Sequence, residues 1–127
     1  MTARPGQFTA LQFLGFMQDS LARILEDTGE LTREEFFAKT RSARQVRDAV
    51  IYNIGALGET AHDLETHHPD FVTSNPQIPI ADIYGMRNRL FHEYHSIDLD
   101  VVWTTCRSAV PDLDRQVRAA IAGFVTP

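Results

Sequence analysis

Apolar residues near the start of the chain recur at steps of three and four, which is the spacing of one face of an α-helix. The residues of this stripe are Leu14, Met17, Leu21, Ile24 and Leu25. They predict a helix over roughly residues 8–27. A short helix is predicted next, because Thr32 precedes Glu35 by three residues in the spacing of a capping box. It carries Phe36 and Phe37, two phenylalanines that look exposed and suggest a sticky surface.

The longest apolar stripe predicts a helix over roughly residues 42–67, with Ser42 as its N-cap. The stripe consists of Val46, Val50, Ile54, Leu57, Ala61 and Leu64. Gly55 and Gly58 lie inside this helix, where each glycine costs about 1 kcal/mol of helix propensity relative to alanine. We therefore expect a packing reason for both glycines, of which the close approach of another helix is the simplest.

The segment after this helix is rich in proline and predicts a loop up to Pro79. A helix is predicted to follow from about Ile80 to Phe91 or His92. Its core face consists of Ile83, Met86 and Leu90.

The C-terminal part of the chain returns to helical spacing. Asp98 is a good N-cap for a helix through Val101, Val102 and Cys106, and Pro111 either kinks that helix or opens the next one. The last stripe consists of Val110, Leu113, Val117, Ile121 and Phe124. Since no segment alternates at period two for long enough to be a strand, we predict an all-α bundle of about five or six helices. The 127 residues, 1–127, are expected to form a single domain.

Composition restricts the function classes. The net charge of −5 argues against non-specific coating of nucleic acid and against a DNA-binding domain. No segment is apolar enough to span a membrane, and the N-terminus lacks the pattern of a signal peptide, so a cytoplasmic protein is expected. Cys106 is the single cysteine and is expected to be a small buried residue.

The densest cluster of functional side chains lies in the segment MRNRLFHEYHSID, which contains Arg87, His92 and Tyr94. An imidazole can accept or donate a proton near neutral pH. A guanidinium presents a fork of donors that matches phosphate oxygens, and a tyrosine can bind a phosphate or stack on a base. These groups suffice to cleave RNA without a metal ion, with the 2′-hydroxyl as the internal nucleophile.

Spacing alone also allows a structural interpretation. Arg87 and Arg89 could form surface ion pairs with Asp82, Glu93 or Asp98, while His92 caps a helix C-terminus. Arg87 and His92 are five residues apart, so their directions diverge by roughly 140° on an ideal helix. A joint site therefore requires that the helix end near Phe91 or that a second copy of the chain complete the site.

The same segment resembles the motif of HEPN-domain ribonucleases, in particular the HepT-like toxins. That motif is Arg, four residues, His, one residue and Tyr, here Arg87, His92 and Tyr94. The run IADIYGMRNRLFHEYHSIDLDVVW resembles the family's signature stretch. The earlier segment VRDAVIYNIGALGETAHDLETHHPDF is similar to its long helix, with Asn53, Ile54, Gly55, Gly58 and Glu59 in the Asn-Ile-Gly-Glu-Ala pattern. The resemblance covers about residues 9–123.

This resemblance implies the toxin of a type VII toxin–antitoxin system, which cuts RNA as a homodimer with the two motif helices lining a composite cleft. It implies that Arg87 and His92 are catalytic and that Asn88 and Tyr94 line the site. The implied partner is a minimal nucleotidyltransferase antitoxin, which uses ATP and magnesium to attach AMP to Tyr94. The added base and phosphate would fill the site and compete for Arg87. No cofactor is implied for RNA cleavage.

Two departures from the family pattern stand out. The loop over residues 69–79 is longer than usual, and His95 replaces an expected aromatic residue, where a surface role is expected. His67 and His68 are expected to be a helix-end pair and not metal ligands. The alternative function is a helical module without catalytic activity, whose motif segment only binds a nucleotide or the nucleotidyltransferase.

Overall fold

The computed structural model describes residues 4–125, except for the side chains of Pro5, Tyr94 and Val125. Every regular element within these residues is helical. The helices are α1 (Ala10–Thr28), α2 (Arg33–Phe37), α3 (Arg41–His67), α4 (Pro69–Ser74), α5 (Ile80–His92), α6 (Leu99–Thr104) and α7 (Val110–Val125). A π-helical segment, Thr105–Ala109, joins α6 to α7. If α6, the π-helical segment and α7 are counted as one continuous helix, the described part of the chain has six helices besides two 3-10 turns, Pro5–Gln7 and Tyr94–Ser96. The predicted all-α class is confirmed.

Hydrogen bonds between residues three apart in sequence explain where α2 and α3 begin. The predicted capping box is present, since Thr32 Oγ1 accepts from the Glu35 amide (3.1 Å) and Glu35 Oε1 from the Thr32 amide (3.0 Å). The hydrogen bonds from Thr32 lower the pKa of Glu35. The prediction of Ser42 as the N-cap of α3 is wrong, because Thr40 accepts from the Ala43 amide (3.1 Å) and starts the helix at Arg41.

The hydrophobic core lies where α1 packs against α3 and α7. The predicted stripe of α3 is buried from Val50 to Leu64, and only Val46 is half-buried. Phe36 and Phe37 do not form a sticky surface. Phe36 is fully buried, with its ring centroid 5.0 Å from that of Trp103, and Phe37 is half-buried. The reason is that α2 folds back against α3 and α6.

The segment predicted as a loop up to Pro79 contains α4, which is a correction. Pro69 occupies the first turn of α4, where its missing amide hydrogen costs no helical hydrogen bond. Phe71 is half-buried against the core and stacks on Phe124, with 5.8 Å between ring centroids. This contact with the far end of the chain stabilises a helix that local spacing does not reveal.

The last helix carries an irregularity before Pro111. Asp98 caps α6 as predicted, since its Oδ1 accepts from the Asp100 amide (3.0 Å). The π-helical segment ends where Val110 and Pro111 begin α7, so Pro111 opens a helix that is continuous with the preceding one. Cys106 is buried as predicted, and burial raises the pKa of its thiol to about 12.

Candidate functional site between α3 and α5

The packing of α5 on α3 depends on two glycines. A Cβ on Gly55 would lie 2.5 Å from the ring of Phe91, and one on Gly58 would lie 2.3 Å from Cβ of Arg87. The later residue of α3, Gly58, thus faces the earlier residue of α5, Arg87. The two helices therefore run antiparallel. The predicted reason for these glycines, the close approach of another helix, is confirmed, and Arg87 packs directly on Gly58.

Three side chains surround the guanidinium of Arg87. Its Nη2 lies 3.3 Å from Oε2 of Glu59, and its Nη1 donates to Oδ1 of Asn88 (3.1 Å). Its Cζ lies 5.0 Å from the ring centroid of Phe91. Arg87 thus forms the ion pair that the structural interpretation expected, but with Glu59 of α3 and not with Asp82, Glu93 or Asp98. Because Arg87 and Glu59 are 32% and 50% exposed, solvent can reach this pair.

His92 is the last residue of α5 and is exposed. Because α5 runs through His92, both Arg87 and His92 lie within the helix and their directions diverge as predicted for an ideal helix. Among the contacts of the described residues, none joins His92 to Arg87. Asn88 accepts a hydrogen bond from Arg87 and stands four residues before His92, on the same helix face.

A 3-10 turn, Tyr94–Ser96, follows α5 directly. The side chain of Tyr94 lies outside the described residues, so its predicted role stays a prediction. His95 is exposed, in agreement with the expected surface role. It also lines a groove of about 430 Å³ together with Tyr52 and Phe91.

The sequence analysis gave no role to Glu59 or Tyr52. Both depend on how α3 and α5 are aligned, which the spacing within each helix does not reveal. The signals in the sequence were the pair of glycines, since Tyr52 stands three residues before Gly55 and Glu59 directly follows Gly58, and the place of Glu59 in the family pattern.

Beyond Arg87, the contact between α3 and α5 continues with an aromatic pair. His62 stacks on Tyr84, with 4.2 Å between ring centroids. Nearby on α3, burial raises the pKa of Asp63, and the charge of Glu59 raises it further. The carboxylate of Glu59, the partner of Arg87, thus repels that of Asp63.

The histidines at the end of α3 belong to the packing of the N-terminal segment. The ring of His67 stacks on Phe13, and Nε2 of His68 donates to the carbonyl oxygen of Phe8 (2.8 Å). Within residues 4–125, no three His, Cys, Asp or Glu side chains form a group that could hold a metal ion. None of the helices described is both long and apolar enough to cross a membrane.

Comparison with known proteins places these observations in a family. The sequence model described as "Ribonuclease HepT-like" matches residues 17–120. A protein of Thermococcus cleftensis, provisionally named ribonuclease HepT, is 30% identical over 75% of this chain and 84% of its own length. Two proteins of Methanocaldococcus jannaschii, provisionally named as RNases, are 25% and 27% identical over 86% and 85% of this chain and 84% of each relative. No solved structure matches.

Proposed function

The chain belongs to the HepT-like ribonuclease family, and on this basis we propose that it is the endoribonuclease toxin of a type VII toxin–antitoxin pair. The observation that carries the proposal is the position of Arg87. Its guanidinium is held at a solvent-accessible point of α5, beside Asn88 and on the helix that His92 ends. An arginine in this position can bind a phosphate of the substrate. The exposed imidazole of His92 can donate or accept a proton.

The proposed reaction is an internal transesterification of RNA. The 2′-oxygen bonds to the phosphorus, the bond from phosphorus to the 5′-oxygen breaks, and a 2′,3′-cyclic phosphate forms. One proton leaves the 2′-hydroxyl and one reaches the departing 5′-oxygen; His92 carries out one of these transfers as general base or acid. Arg87 stabilises the negative charge that develops on the phosphate oxygens. No metal ion takes part in this reaction.

The contacts of Arg87 suit the exchange of one anion for another. Its buried Nε makes no hydrogen bond with the described residues, so the resting position leaves one donor unused. Once the side chain turns so that Nε is accessible, a phosphate can accept from Nε and one Nη as a bidentate pair. The phosphate would displace Glu59, a half-exposed partner whose ion pair contributes little, in the range of about 0–1 kcal/mol.

We propose that the working form is a homodimer. Within one copy the directions of Arg87 and His92 diverge by roughly 140° on α5. A second copy with its own α5 across the cleft would present its His92 to the phosphate held by Arg87. Two histidines could then divide the two proton transfers between them.

Neutralisation is proposed to act through Tyr94. A nucleotidyltransferase antitoxin would transfer AMP from ATP to its hydroxyl with magnesium, releasing pyrophosphate. The intact mass of the chain should then rise by whole AMP units after incubation with this partner, and Tyr94→Phe should abolish the rise. An unchanged mass of the wild type, or a rise that persists in Tyr94→Phe, would contradict this part of the proposal.

The test of the toxin itself is expression of the chain alone, with and without His92→Ala. We expect growth arrest and RNA degradation from the wild type and neither from the variant. Equal behaviour of two well-folded proteins would favour the helical binding module instead. Circular dichroism of both purified chains serves as the folding control.

A further inference from the structure

The groove between α3 and the turn after α5 contains two accessible aromatic rings. Tyr52 is 69% exposed and Phe91 is 43% exposed, although large aromatic side chains are usually mostly buried. Ile51, Ile97 and Leu99 supply the apolar lining. The volume, about 430 Å³, lies within the range of about 300–1,000 Å³ that is typical of small-molecule pockets.

Phe91 connects this groove to Arg87. The ring of Phe91 forms part of its wall, and Cζ of Arg87 lies 5.0 Å from the centroid of that ring. Arg87 and Phe91 are one helical turn apart, about 6 Å along the axis. A nucleotide separates its phosphate from its base by one ribose, which is a similar distance. A phosphate at Arg87 would therefore place a neighbouring base over the groove.

We propose that this groove is a nucleobase subsite, which binds a base next to the phosphate that Arg87 holds. The inference rests on the proposed function and adds to it the part of the substrate that the chain recognises. The base lies against the rings of Tyr52 and Phe91. Aromatic rings are suited to this because every base has a flat face on which it can stack.

Polar groups at the groove predict a preference among bases. Asp48 lines the groove, and its carboxylate can only accept hydrogen bonds when it is ionised. Adenine, cytosine and guanine each carry an exocyclic amino group that donates hydrogen bonds, whereas uracil offers only its ring N3–H, which is flanked by two carbonyl oxygens that a carboxylate repels. We therefore expect the subsite to disfavour uracil.

A binding experiment tests the subsite without requiring cleavage. The probe is a short single-stranded oligonucleotide of 2′-deoxynucleotides, which cannot be cleaved internally, with one fluorescent 2-aminopurine. Stacking in the groove should quench its fluorescence on addition of the wild-type protein. Tyr52→Ala should weaken binding at least about fivefold, the change that corresponds to about 1 kcal/mol. The matched control is Tyr84→Ala, which removes a tyrosine that stacks on His62, on the other side of Arg87.

A cleavage experiment tests the predicted base preference. The substrates are four oligonucleotides with a single ribonucleotide as the cleavable position and each base in turn beside it. The wild type should cleave the uracil substrates most slowly. Asp48→Asn should reduce that difference, because an amide both donates and accepts. Asp19→Asn, an exposed aspartate of α1, should leave the preference unchanged.

The outcomes separate this inference from the proposed function. Cleavage of all four bases at equal rates, together with unchanged binding by Tyr52→Ala, overturns the subsite and leaves the ribonuclease intact. A wild type that cleaves nothing overturns the function, and the fluorescence then decides whether a base is bound. If quenching is absent and Tyr52→Ala converts a dimer into a monomer, the groove is an interface between copies and the subsite is wrong.

Discussion

Two regions of the molecule hold an arginine by different means. At the end of α1, Arg107 donates to the carbonyl oxygens of Thr28 (3.1 Å), Gly29 (3.3 Å) and Leu31 (3.3 Å). Its guanidinium also lies 4.7 Å from the ring centroid of Trp103. Between α3 and α5, Arg87 instead meets side chains, the carboxylate of Glu59 and the amide of Asn88.

The difference lies in whether the partners can move. Carbonyl groups at the end of a helix have no partner within the helix and are fixed by the backbone, so an arginine that binds them is part of the structure. A carboxylate and an amide on flexible side chains can turn away when a phosphate arrives. Arg47, which donates to the carbonyl oxygens of Phe36 (2.7 Å) and Ala38 (2.9 Å), belongs to the first kind. We infer that Arg87, unlike Arg107 and Arg47, is available for substrate.

The largest effect is expected for Arg87→Ala. Loss of a group that stabilises transition-state charge should lower kcat/KM for RNA by about a hundred- to a thousandfold. The free energy of unfolding should change by less than about 1 kcal/mol, because the side chain makes a solvent-accessible ion pair. Both quantities are measured on the purified chain, by cleavage of a labelled oligonucleotide and by urea unfolding. Full activity in this variant would remove Arg87 from the mechanism.

Gly58→Ala should come next. The new Cβ would lie 2.3 Å from Cβ of Arg87 and 3.1 Å from the carbonyl oxygen of Ile83, so α5 must shift away from α3. A displacement on the order of 1 Å can cost about a hundredfold in rate. The matched control is Gly15→Ala in α1, where a Cβ meets nothing within 4 Å. The control should be slightly stabilised and fully active; an unchanged rate in Gly58→Ala would mean that this contact does not position Arg87.

Arg107→Ala should show the opposite behaviour to Arg87→Ala. Loss of the hydrogen bonds to three carbonyl groups should lower the free energy of unfolding by about 1–2 kcal/mol. The rate of RNA cleavage below the unfolding temperature should stay within a factor of about two, since the contacts of Arg107 are with the end of α1 and with Trp103 and not with α5. Arg44→Ala, which removes an exposed arginine of α3, is the control and should change neither quantity. A large loss of cleavage in Arg107→Ala would contradict the assignment of Arg107 to the structure and of Arg87 to the substrate.

Glu59→Gln should have a smaller effect, confined to binding. Glutamine keeps the shape of the side chain but removes the negative charge that competes with phosphate for Arg87. We expect KM for RNA to fall by up to about fivefold, equivalent to about 1 kcal/mol, with kcat nearly unchanged. Glu65→Gln, an exposed glutamate on the same helix, corrects for the general loss of negative charge. A collapse of kcat would instead assign Glu59 a direct part in the reaction.

Asp63→Asn should have the smallest effect, and it should depend on pH. The pKa of Asp63 is raised by burial and by Glu59, so ionisation of Asp63 destabilises the folded state. This penalty is absent below the unfolded pKa of about 3.9 and is complete above the raised folded pKa. The substitution should therefore stabilise the chain at pH 7 by a few tenths of a kcal/mol, and by less at pH 4. The free energy of unfolding of both proteins is measured by urea denaturation at pH 7 and pH 4. An equal gain at both pH values would contradict the ionisation of Asp63 as the cause.

The helices could be predicted from the sequence because most of them bury one face in the core, which imposes a period on the apolar residues. Caps such as Thr32 and Asp98 were predictable because they act within three residues. The choice of Thr40 over Ser42 was not, since both hydroxyls are good caps and the backbone decides between them. The helix α4 was missed because Phe71 owes its packing to Phe124, far along the chain.

The candidate site was only partly predictable, for the same reason. A sequence motif can identify Arg87, Asn88 and His92, because all three lie close together in sequence on α5. The ion pair with Glu59 and the groove at Tyr52 depend on the alignment of two helices. The burial of Phe36 likewise depends on how α2 folds against Trp103. The family that the motif indicated is confirmed, whereas the roles of its individual residues stay predictions.

The most direct test of the central claim is the chemistry of the RNA ends that the purified chain produces in the presence of a metal chelator. The account predicts cleavage that continues without metal and leaves 2′,3′-cyclic phosphate ends, and it predicts that Arg87→Ala and His92→Ala lose this product while Arg107→Ala keeps it. Cleavage that stops with the chelator, or that leaves 3′-hydroxyl ends, would contradict an internal attack by the 2′-hydroxyl assisted by Arg87 and His92.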